Sequence, residues 1–220
     1  MKLAIIGASG LIGAALTDRL LAENRSVTAL LRRSTGRTDP LFAERIAPVS
    51  AWPEQIAGVQ PEVAVSALGT TIAVAGSRAA FEAIDLDAVT TFARAAREAG
   101  ARQMIAVSSV GADPDASTFY LRTKGRMEQA LADIGFDRLD LFRPALLLGK
   151  RAGPPRIGER IAIALSPVMT LLLRGPFERY APIAAETVAA AMAAAAGNPA
   201  PGVFVHEYRA IRGLAASRGA

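Results

Sequence analysis

The chain has 220 residues, of which 51% are hydrophobic and 20% are charged, and it contains no cysteine. This composition is typical of a folded globular protein and excludes a disordered chain, disulfide bonds and thiolate metal sites. The formal net charge of +5 at pH 7 would suit a nucleic-acid partner, but the basic residues form no run longer than a pair. Because no aromatic side chains alternate with them, an arginine-rich solvated surface is the better interpretation, and nucleic-acid binding is not expected.

The segment MKLAIIGASG at the start of the sequence has neither the apolar length nor the cleavage site of a secretory signal peptide. A cytoplasmic location is therefore expected. The longest apolar stretch, residues 161–173, is interrupted by Ser166 and Pro167 and falls short of the ~20 residues that a membrane-spanning helix needs. We expect no membrane span, and this stretch is compatible with a substrate lid, a dimer face or a buried helix.

The first 31 residues show a strand pattern, a helix pattern and a second strand pattern. The apolar run KLAIIG is typical of a buried strand, ASG breaks it, and residues 11–24 repeat apolar side chains at helical spacing. The run SVTALL, residues 26–31, predicts the second strand. Together they form a β-α-β unit, which is the smallest piece of a parallel sheet.

Strands and helices continue to alternate as far as Pro144. Further strands are predicted near residues 45–49 and at residues 62–68, 102–109 and 136–142, and helices over about residues 78–99 and around Tyr120 and Lys124. This alternation predicts an α/β fold with a doubly wound parallel sheet.

After Pro144 the alternation loosens into a loop rich in glycine, proline and arginine. A helix is predicted at residues 184–197, a strand at residues 202–206 and a final helix after it. We expect one domain over residues 1–220, in which residues 150–220 form a small C-terminal substrate or lid portion.

Three glycines, Gly7, Gly10 and Gly13, lie where the first strand passes into the first helix, with the spacing G-x-x-G-x-x-G. A pyrophosphate needs close backbone approach and unbonded N–H groups at a helix N-terminus, and this position in the first β-α-β unit supplies both. The turn therefore predicts a dinucleotide site. Its expected lining is Gly7, Ala8, Ser9, Gly10, Leu11, Ile12 and Gly13.

The end of the second strand bears on the choice of dinucleotide. In many NAD-binding sheets this strand ends in a carboxylate that binds the ribose 2′-hydroxyl and would repel a 2′-phosphate. Here Leu31 stands at that place and Arg32 and Arg33 follow it. The arginines favour NADP(H) as the preferred cofactor, with NAD(H) also compatible; the alternative interpretation is a pair of solvated surface side chains.

The motifs GASGLIG, LLRR, SALGTT, VSSVGAD, YLRTK and FRPALLLG occur in the order found in the short-chain dehydrogenase/reductase superfamily. The chain resembles its atypical branch, typified by Tat-interacting-protein-type NADPH-binding proteins, from residue 3 to about residue 150 and more weakly beyond. The resemblance implies a Rossmann-type fold with NADP(H) over the carboxyl ends of the strands. It also implies two further stretches of cofactor lining, namely Leu68, Gly69 and Thr70, and then Pro144, Ala145, Leu146 and Leu147.

Tyr120 and Lys124 are four residues apart on a predicted helix, so both can point at one site. A cation near a tyrosine stabilises its phenolate form and makes the phenol a better acid and base. The resemblance implies that Lys124 also binds the nicotinamide ribose and that Ser108 holds a substrate carbonyl. We therefore expect Ser108, Tyr120 and Lys124 to be catalytic and to touch the cofactor. The alternative is an ordinary strand-end serine, a helix tyrosine and a surface lysine.

One position departs from superfamily members that have a full catalytic tetrad. Those proteins carry an asparagine on the helix before the serine strand, where this chain has Asp85, as the atypical branch also does. The departure calls the usual proton relay through that helix into question. The single histidine, His206, is expected to be structural and cannot by itself form a multi-histidine site, so no metal site is expected.

These patterns predict an NADP(H)-dependent oxidoreductase that transfers hydride to or from a small carbonyl or alcohol substrate. Two alternatives stay open: an NADP(H)-binding redox-sensing regulatory protein with little catalysis, and an NAD-dependent sugar-nucleotide epimerase or dehydratase. The arginine pair and the short segment after residue 150 oppose the epimerase. No motif specifies the substrate, the reaction direction or whether the protein is a monomer or a homodimer.

Overall fold

A computed structural model describes residues 1–149 and 175–217 of the chain. The strands of this part are β1 (Lys2–Ile6), β2 (Ser26–Leu31), β3 (Phe42–Ile46), β4 (Val63–Ser66), β5 (Gln103–Val107), β6 (Arg138–Phe142), β7 (Leu147–Leu148), β8 (Ile183–Ala184) and β9 (Gly202–His206). Seven of them form one parallel sheet in the order β3-β2-β1-β4-β5-β6-β9, and β7 pairs separately with β8. The predicted α/β doubly wound parallel sheet is confirmed.

Helices cover both faces of the sheet. They are α1 (Leu11–Ala22), α2 (Trp52–Ala57), α3 (Ile72–Ala75), α4 (Arg78–Glu82), α5 (Val89–Glu98), α6 (Phe119–Asp133), α7 (Ala185–Ala195) and α8 (Tyr208–Ala216). One hydrophobic core joins the sheet to α1, α7 and α8, and a second joins it to α2, α5 and α6.

The central strand β1 shows why the strands read as continuous apolar runs. Leu3 and Ile5 pack into the first core, whereas Ala4 and Ile6 pack into the second. All four side chains are buried, because a parallel sheet with helices on both sides leaves no face for water.

Several elements differ from the sequence-based expectation. The helix predicted over residues 78–99 is present from Arg78 to Glu98, but its hydrogen bonding is π-helical over Ala83–Ala88, between α4 and α5. The short helix α3 and the separate two-stranded sheet of β7 and β8 were not predicted. Elements of two to four residues are too short to show a helical or strand period.

Part of the C-terminal expectation lies outside the described residues. This applies to the apolar stretch 161–173 and to most of the loop before it, so the substrate or lid portion and the single-domain organisation stay predictions. Among the residues that the structure covers, no helix is both long and apolar enough to traverse a bilayer.

A buried polar cluster ties the edge strand β9 to the rest of the sheet. Asp140 is fully buried in β6, where it accepts two hydrogen bonds from the Arg138 guanidinium, at 2.6 and 2.7 Å, and one from Gln103 Nε2 at 2.7 Å. His206 Nε2 of β9 lies 2.8 Å from the same carboxylate, which is the structural role predicted for this histidine. Burial pushes the pKa of Asp140 upward, but the hydrogen bonds from His206, Arg138 and Gln103 outweigh it and lower the pKa.

Replacing Asp140 tests how much this cluster stabilises the fold. We expect Asp140→Asn to lower the free energy of unfolding by roughly 3–5 kcal/mol, because it strands the buried Arg138 guanidinium without a counter-ion. Urea unfolding followed by circular dichroism measures the difference. Asp137→Asn is the matched control, since Asp137 also lies 2.6 Å from an arginine, but that partner, Arg102, has a 79% exposed side chain. An equal loss in both variants would contradict the assignment.

The same carboxyl group should make stability depend on pH. The folded protein holds the pKa of Asp140 below its ordinary value of 3.8, so the ionised form favours folding above that value. This contribution is lost as pH falls through 3.8 towards the lower folded-state pKa. Unfolding free energies measured from about pH 6 to pH 2 should therefore fall more steeply for the native chain than for Asp140→Asn. Parallel curves for the two proteins would show that Asp140 is not the group responsible.

Candidate functional site at the carboxyl edge of the sheet

The glycine turn after β1 is too closely packed for side chains. Gly7 has φ of +81°, and a Cβ built there would lie 2.5 Å from the backbone nitrogen of Leu68. A Cβ at Gly13 would lie 2.0 Å from the carbonyl oxygen of Gly7. Gly10 is the N-cap residue of α1. Because it has no side chain, no side-chain hydrogen bond occupies the first N–H groups of the helix, which face the turn. The turn thus has the close backbone approach and the N–H groups that a pyrophosphate needs.

A cleft of about 670 Å³ opens beside this turn, at the end of β2. Arg32 and Arg33 are exposed on its wall, and within the described part of the chain neither forms an ion pair. The lining is Ala8, Ser9, Ala14, Thr17, Leu31, Arg32, Arg33, Ser34, Thr35, Arg37 and Phe42. Two cations that have no ion-pair partner among the described residues therefore face a cleft that contains part of the glycine turn.

Other charged groups around this cleft are already paired. Arg37 lies 2.6 Å from Asp18, and Glu44 accepts hydrogen bonds from Ser34 and Thr35. These bonds, the one from Ser34 first, lower the pKa of Glu44. Arg37 and Phe42 were not singled out from the sequence, because nothing in the linear order places residues after the second strand in the cleft.

The inner face of α6 carries three polar side chains at a spacing of four residues. Tyr120 is half-buried in the first turn and its ring lies 5.5 Å from that of the buried Phe81. Lys124, one turn later, is only 3% exposed. Glu128, the next in the series, pairs with Arg143 and raises the pKa of that guanidinium. Glu128 was not singled out from the sequence, although the same helical spacing places it on this face.

The ammonium of Lys124 is paired with Asp85, the residue at which the sequence departs from the superfamily. Lys124 Nζ lies 2.7 Å from Asp85 Oδ1, and Asp85 is fully buried in the π-helical segment Ala83–Ala88. The other oxygen, Asp85 Oδ2, accepts a hydrogen bond of 3.0 Å from the backbone N–H of Thr70. No local sequence pattern indicates this pairing, because the two residues lie on different helices.

Ser108 follows β5 and offers a buried hydroxyl. Its backbone N–H donates to the carbonyl oxygen of Phe142 at 2.7 Å, whereas its Oγ has no hydrogen-bond partner among the residues described. The residue is 4% exposed. A buried hydroxyl without a partner is uncommon in proteins, so Ser108 Oγ is available to an oxygen of a ligand. The neighbouring Ser109 differs, since its hydroxyl donates to Val110 O at 3.4 Å.

The remaining expected cofactor contacts follow the ends of β4 and β6. Leu68, Gly69 and Thr70 follow β4 after one intervening residue, and the backbone N–H of Thr70 donates a hydrogen bond to Asp85. Residues 144–147 follow β6, and the carbonyl of Pro144 accepts a hydrogen bond from Val110 at 3.1 Å. Because β1, β4, β5 and β6 are adjacent and parallel, these segments all lie at one edge of the sheet.

Some of the expected site residues are connected by contacts, whereas others only lie at the same edge of the sheet. Gly7 packs against Leu68, and Asp85 connects Lys124 to Thr70. Over residues 1–149 and 175–217, the Tyr120 hydroxyl makes no hydrogen bond to Ser108 or Lys124. Over the same residues, no group of three or more histidine, aspartate and glutamate side chains could hold a metal ion.

Taken as a binding surface, this edge fits a dinucleotide. The glycine turn brings backbone close to backbone, and Arg32 and Arg33 belong to the lining of the cleft. The unpartnered Ser108 hydroxyl follows β5, and the Lys124 ammonium belongs to the second turn of α6. The donors are all suited to oxygen atoms of phosphate, ribose or carbonyl groups.

Comparisons with known proteins agree with this geometry. Residues 7–199 match a family model described as NAD(P)H-binding. The chain is 37% identical over 163 residues to Protein FMP52, mitochondrial, of Coccidioides immitis, which covers 67% of this chain and 66% of that protein. It is 32% identical over 182 residues to the protein of the same name from Saccharomyces cerevisiae, covering 80% and 78%. The chain thus spans between 66% and 78% of these two relatives.

Solved structures share the fold at low sequence identity. The UDP-glucose 4-epimerase of Thermotoga maritima, with UDP-glucose, has a TM-score of 0.71 and 16% identity, and covers 94% of this chain and 77% of its own. The UDP-glucose 4-epimerase of Thermus thermophilus, in complex with NAD, has a TM-score of 0.71 and 17% identity, covering 99% and 83%. At such identities the likeness confirms the Rossmann-type fold and no more.

The relatives correct the expected location. The proteins that are 32–37% identical to this chain are named mitochondrial, so the prediction of a cytoplasmic location is wrong. That prediction considered only a secretory signal peptide, and such a signal has no bearing on a mitochondrial destination.

The family match, the relatives and the fold agree with the dinucleotide-binding motifs of the sequence. They also agree with a glycine turn in which only backbone fits beside Leu68. The chain belongs to the NAD(P)H-binding family and is an NAD(P)-binding protein like those of the atypical short-chain dehydrogenases/reductases.

Proposed function

We propose that the protein is an NADP(H)-dependent oxidoreductase that transfers hydride to or from a small carbonyl or alcohol substrate. The observation that carries this proposal is the buried, unpartnered hydroxyl of Ser108 at the same sheet edge as Tyr120 and Lys124. The cofactor, when bound, supplies or accepts the hydride. The chain itself binds the two ligands, orients them and moves one proton.

Binding of the cofactor is assigned to four segments of the edge. The N–H groups of the glycine turn would hold the pyrophosphate, and Arg32 and Arg33 would pair with a 2′-phosphate. Lys124 would donate to the ribose hydroxyls next to the nicotinamide. The segments 68–70 and 144–147 would line the remaining length of the cofactor.

Proton movement is assigned to Tyr120 and Ser108. In reduction, Ser108 Oγ donates a hydrogen bond to the carbonyl oxygen of the substrate, and the Tyr120 hydroxyl gives its proton to that same oxygen as the carbonyl carbon gains hydride. In oxidation, Tyr120 takes the proton from the alcohol as the hydride leaves. Each reduction therefore adds one hydride from the cofactor and one proton from Tyr120 to the carbonyl to give the alcohol, and solvent returns the proton to Tyr120; oxidation is the reverse.

A second candidate is an NADP(H)-binding redox sensor with little catalysis. It is favoured by one observation, namely that the Lys124 ammonium is neutralised by Asp85, which weakens its effect on a nearby phenol. Steady NADPH oxidation by the purified protein with a panel of aldehydes, ketones or quinones would exclude a pure sensor. Binding without oxidation across the whole panel would favour the sensor over the enzyme.

Replacing Tyr120 tests the catalytic assignment. Tyr120→Phe keeps the ring on Phe81 and removes only the hydroxyl, so turnover should fall by roughly 10²–10⁴-fold, as expected for loss of an acid–base group. The dissociation constant of NADPH should change by no more than about three-fold. Turnover is followed by nicotinamide absorbance and binding by calorimetry. Tyr180→Phe, at an exposed tyrosine, is the control, and unchanged turnover in Tyr120→Phe would exclude the assigned role.

Replacing the arginine pair tests the choice of cofactor. Arg32→Ala/Arg33→Ala should weaken NADPH binding by about 10- to 100-fold, because hydrogen bonds to charged groups contribute about 1.5–3 kcal/mol. NADH, which lacks the 2′-phosphate, should bind with nearly unchanged affinity. The matched control is Arg45→Ala/Arg94→Ala, which removes two exposed arginines outside the cleft.

Three outcomes of this cofactor test are informative. Loss of NADPH affinity in the cleft variant alone supports the assignment. Equal losses of NADPH affinity in both double variants would show that the effect comes from the lower net charge and not from the cleft. Tightly retained NAD in the native protein would instead point to an epimerase like the solved structures named above.

A further inference from the structure

Both oxygens of the Asp85 carboxylate are engaged, and each contacts a different part of the site. Oδ1 lies 2.7 Å from Lys124 Nζ on α6, and Oδ2 accepts the 3.0 Å hydrogen bond from the Thr70 N–H in the segment after β4. Side-chain exposure is 0% for Asp85 and 4% for Lys124. The carboxylate therefore connects the helix of the proposed catalytic residues to a proposed cofactor segment, out of contact with water.

The ion pair restricts where the Lys124 ammonium can lie. A lysine side chain is a flexible four-carbon chain, and its ammonium group can otherwise take many positions. A buried ammonium without a counter-ion is strongly unfavourable, so the ammonium has to remain beside Asp85. The contact with Oδ1 is an ion pair without hydrogen-bond geometry, since Oδ1 has no hydrogen-bond partner among the described residues. The N–H donors of the ammonium are therefore not committed to this oxygen.

The position of Asp85 is set in turn by the π-helical segment Ala83–Ala88. Such π-helical turns, with hydrogen bonds between residues five apart, are frequent at functional sites. Phe81, just before this segment, packs on the ring of Tyr120. Gly69 lies beside the carboxylate, since a Cβ there would make an ordinary van der Waals contact with Asp85 Oδ1 at 3.7 Å. The segment thus reaches Tyr120, Lys124 and the 68–70 segment together.

We propose that Asp85 is a positioning residue. It holds the Lys124 ammonium where it can reach the nicotinamide ribose, and it fixes the position of that ammonium relative to the segment 68–70. Asp85 itself touches neither substrate nor cofactor in this role and acts through the ammonium. The proposal rests on the proposed function in one respect, because it takes Lys124 to be a ligand of the cofactor. It assigns the aspartate a purpose that the asparagine of the full tetrad could not serve, since an amide carries no charge to pair with the ammonium.

The experiment is a double-mutant cycle on NADPH affinity, which needs no turnover. Lys124→Met should weaken NADPH binding by about ten-fold, as expected for a lost hydrogen bond from a charged donor. Asp85→Asn should weaken NADPH binding by about five-fold, because the ammonium is no longer held in place by a charged partner. The amide oxygen of the asparagine can still accept the hydrogen bond from Thr70. The double variant should match Lys124→Met within about two-fold, since Asp85 has no effect once the ammonium is gone.

The control and the structural reference come from the same segment. Asp87→Asn changes an exposed aspartate of Ala83–Ala88 and should leave NADPH affinity within about two-fold of the native value. Thermal unfolding of each variant, followed by circular dichroism, shows whether it is folded. Should Asp85→Asn fail to fold because the ammonium is stranded, the double variant, which removes both charges, is compared directly with Lys124→Met.

The outcomes separate this proposal from the proposed function. Equal NADPH affinity of the double variant and Lys124→Met supports the positioning role. A double variant weaker than Lys124→Met by about five-fold would show that Asp85 acts independently of the ammonium and would overturn it. An affinity of Asp85→Asn equal to that of Asp87→Asn would overturn it as well. Failure of the oxidoreductase proposal shows instead as native protein that binds NADPH and oxidises none.

Discussion

The Lys124 ammonium is a charge in the interior of the protein, and the neighbouring carboxylate of Asp85 makes that burial tolerable. The site depends on this pair because it fixes α6 against both the π-helical segment and the segment after β4. Tyr120 lies one turn before Lys124 on the same helix, and its ring rests on Phe81, which precedes Asp85. These contacts thereby hold together α6, the π-helical segment and the segment after β4, which are separate in the sequence.

The parallel sheet explains why these parts meet at one edge. Because β1, β4, β5 and β6 run in the same direction and are buried on both faces, every strand delivers its following segment to the same side. The glycine turn packs directly against the segment after β4, and the backbones of Gly7 and Leu68 are too close for a side chain at position 7. Ser108 follows β5 in the same way. The chemistry of the edge is therefore a consequence of topology, with short segments supplying the side chains.

The sequence predicted most of the sheet and the separate motifs, because apolar runs and glycine turns are local signals. It did not predict how the motifs contact one another. Asp85 was noticed only as a departure from an asparagine, and its bonds to Lys124 and Thr70 depend on a π-helical turn that has no sequence period of its own. Boundaries shifted where the local signal is weak, as in β3, which was predicted near residues 45–49 and lies at Phe42–Ile46.

Asp85 and Asp140 are the fully buried aspartates of the described residues, and they differ in the cation with which each is paired. Asp140 is held by the planar fork of Arg138 with further bonds from Gln103 and His206, an arrangement that satisfies the carboxylate within the protein and is suited to a structural role. Asp85 is paired with a compact ammonium at 2.7 Å, and its Oδ1 has no hydrogen bond among the described residues. An arginine at position 124 would direct a second donor of its fork at Asp85 and compete with Thr70 for Oδ2. Lysine instead balances the buried charge and leaves its N–H donors available to a ligand, as the cofactor-binding role proposed for Lys124 requires.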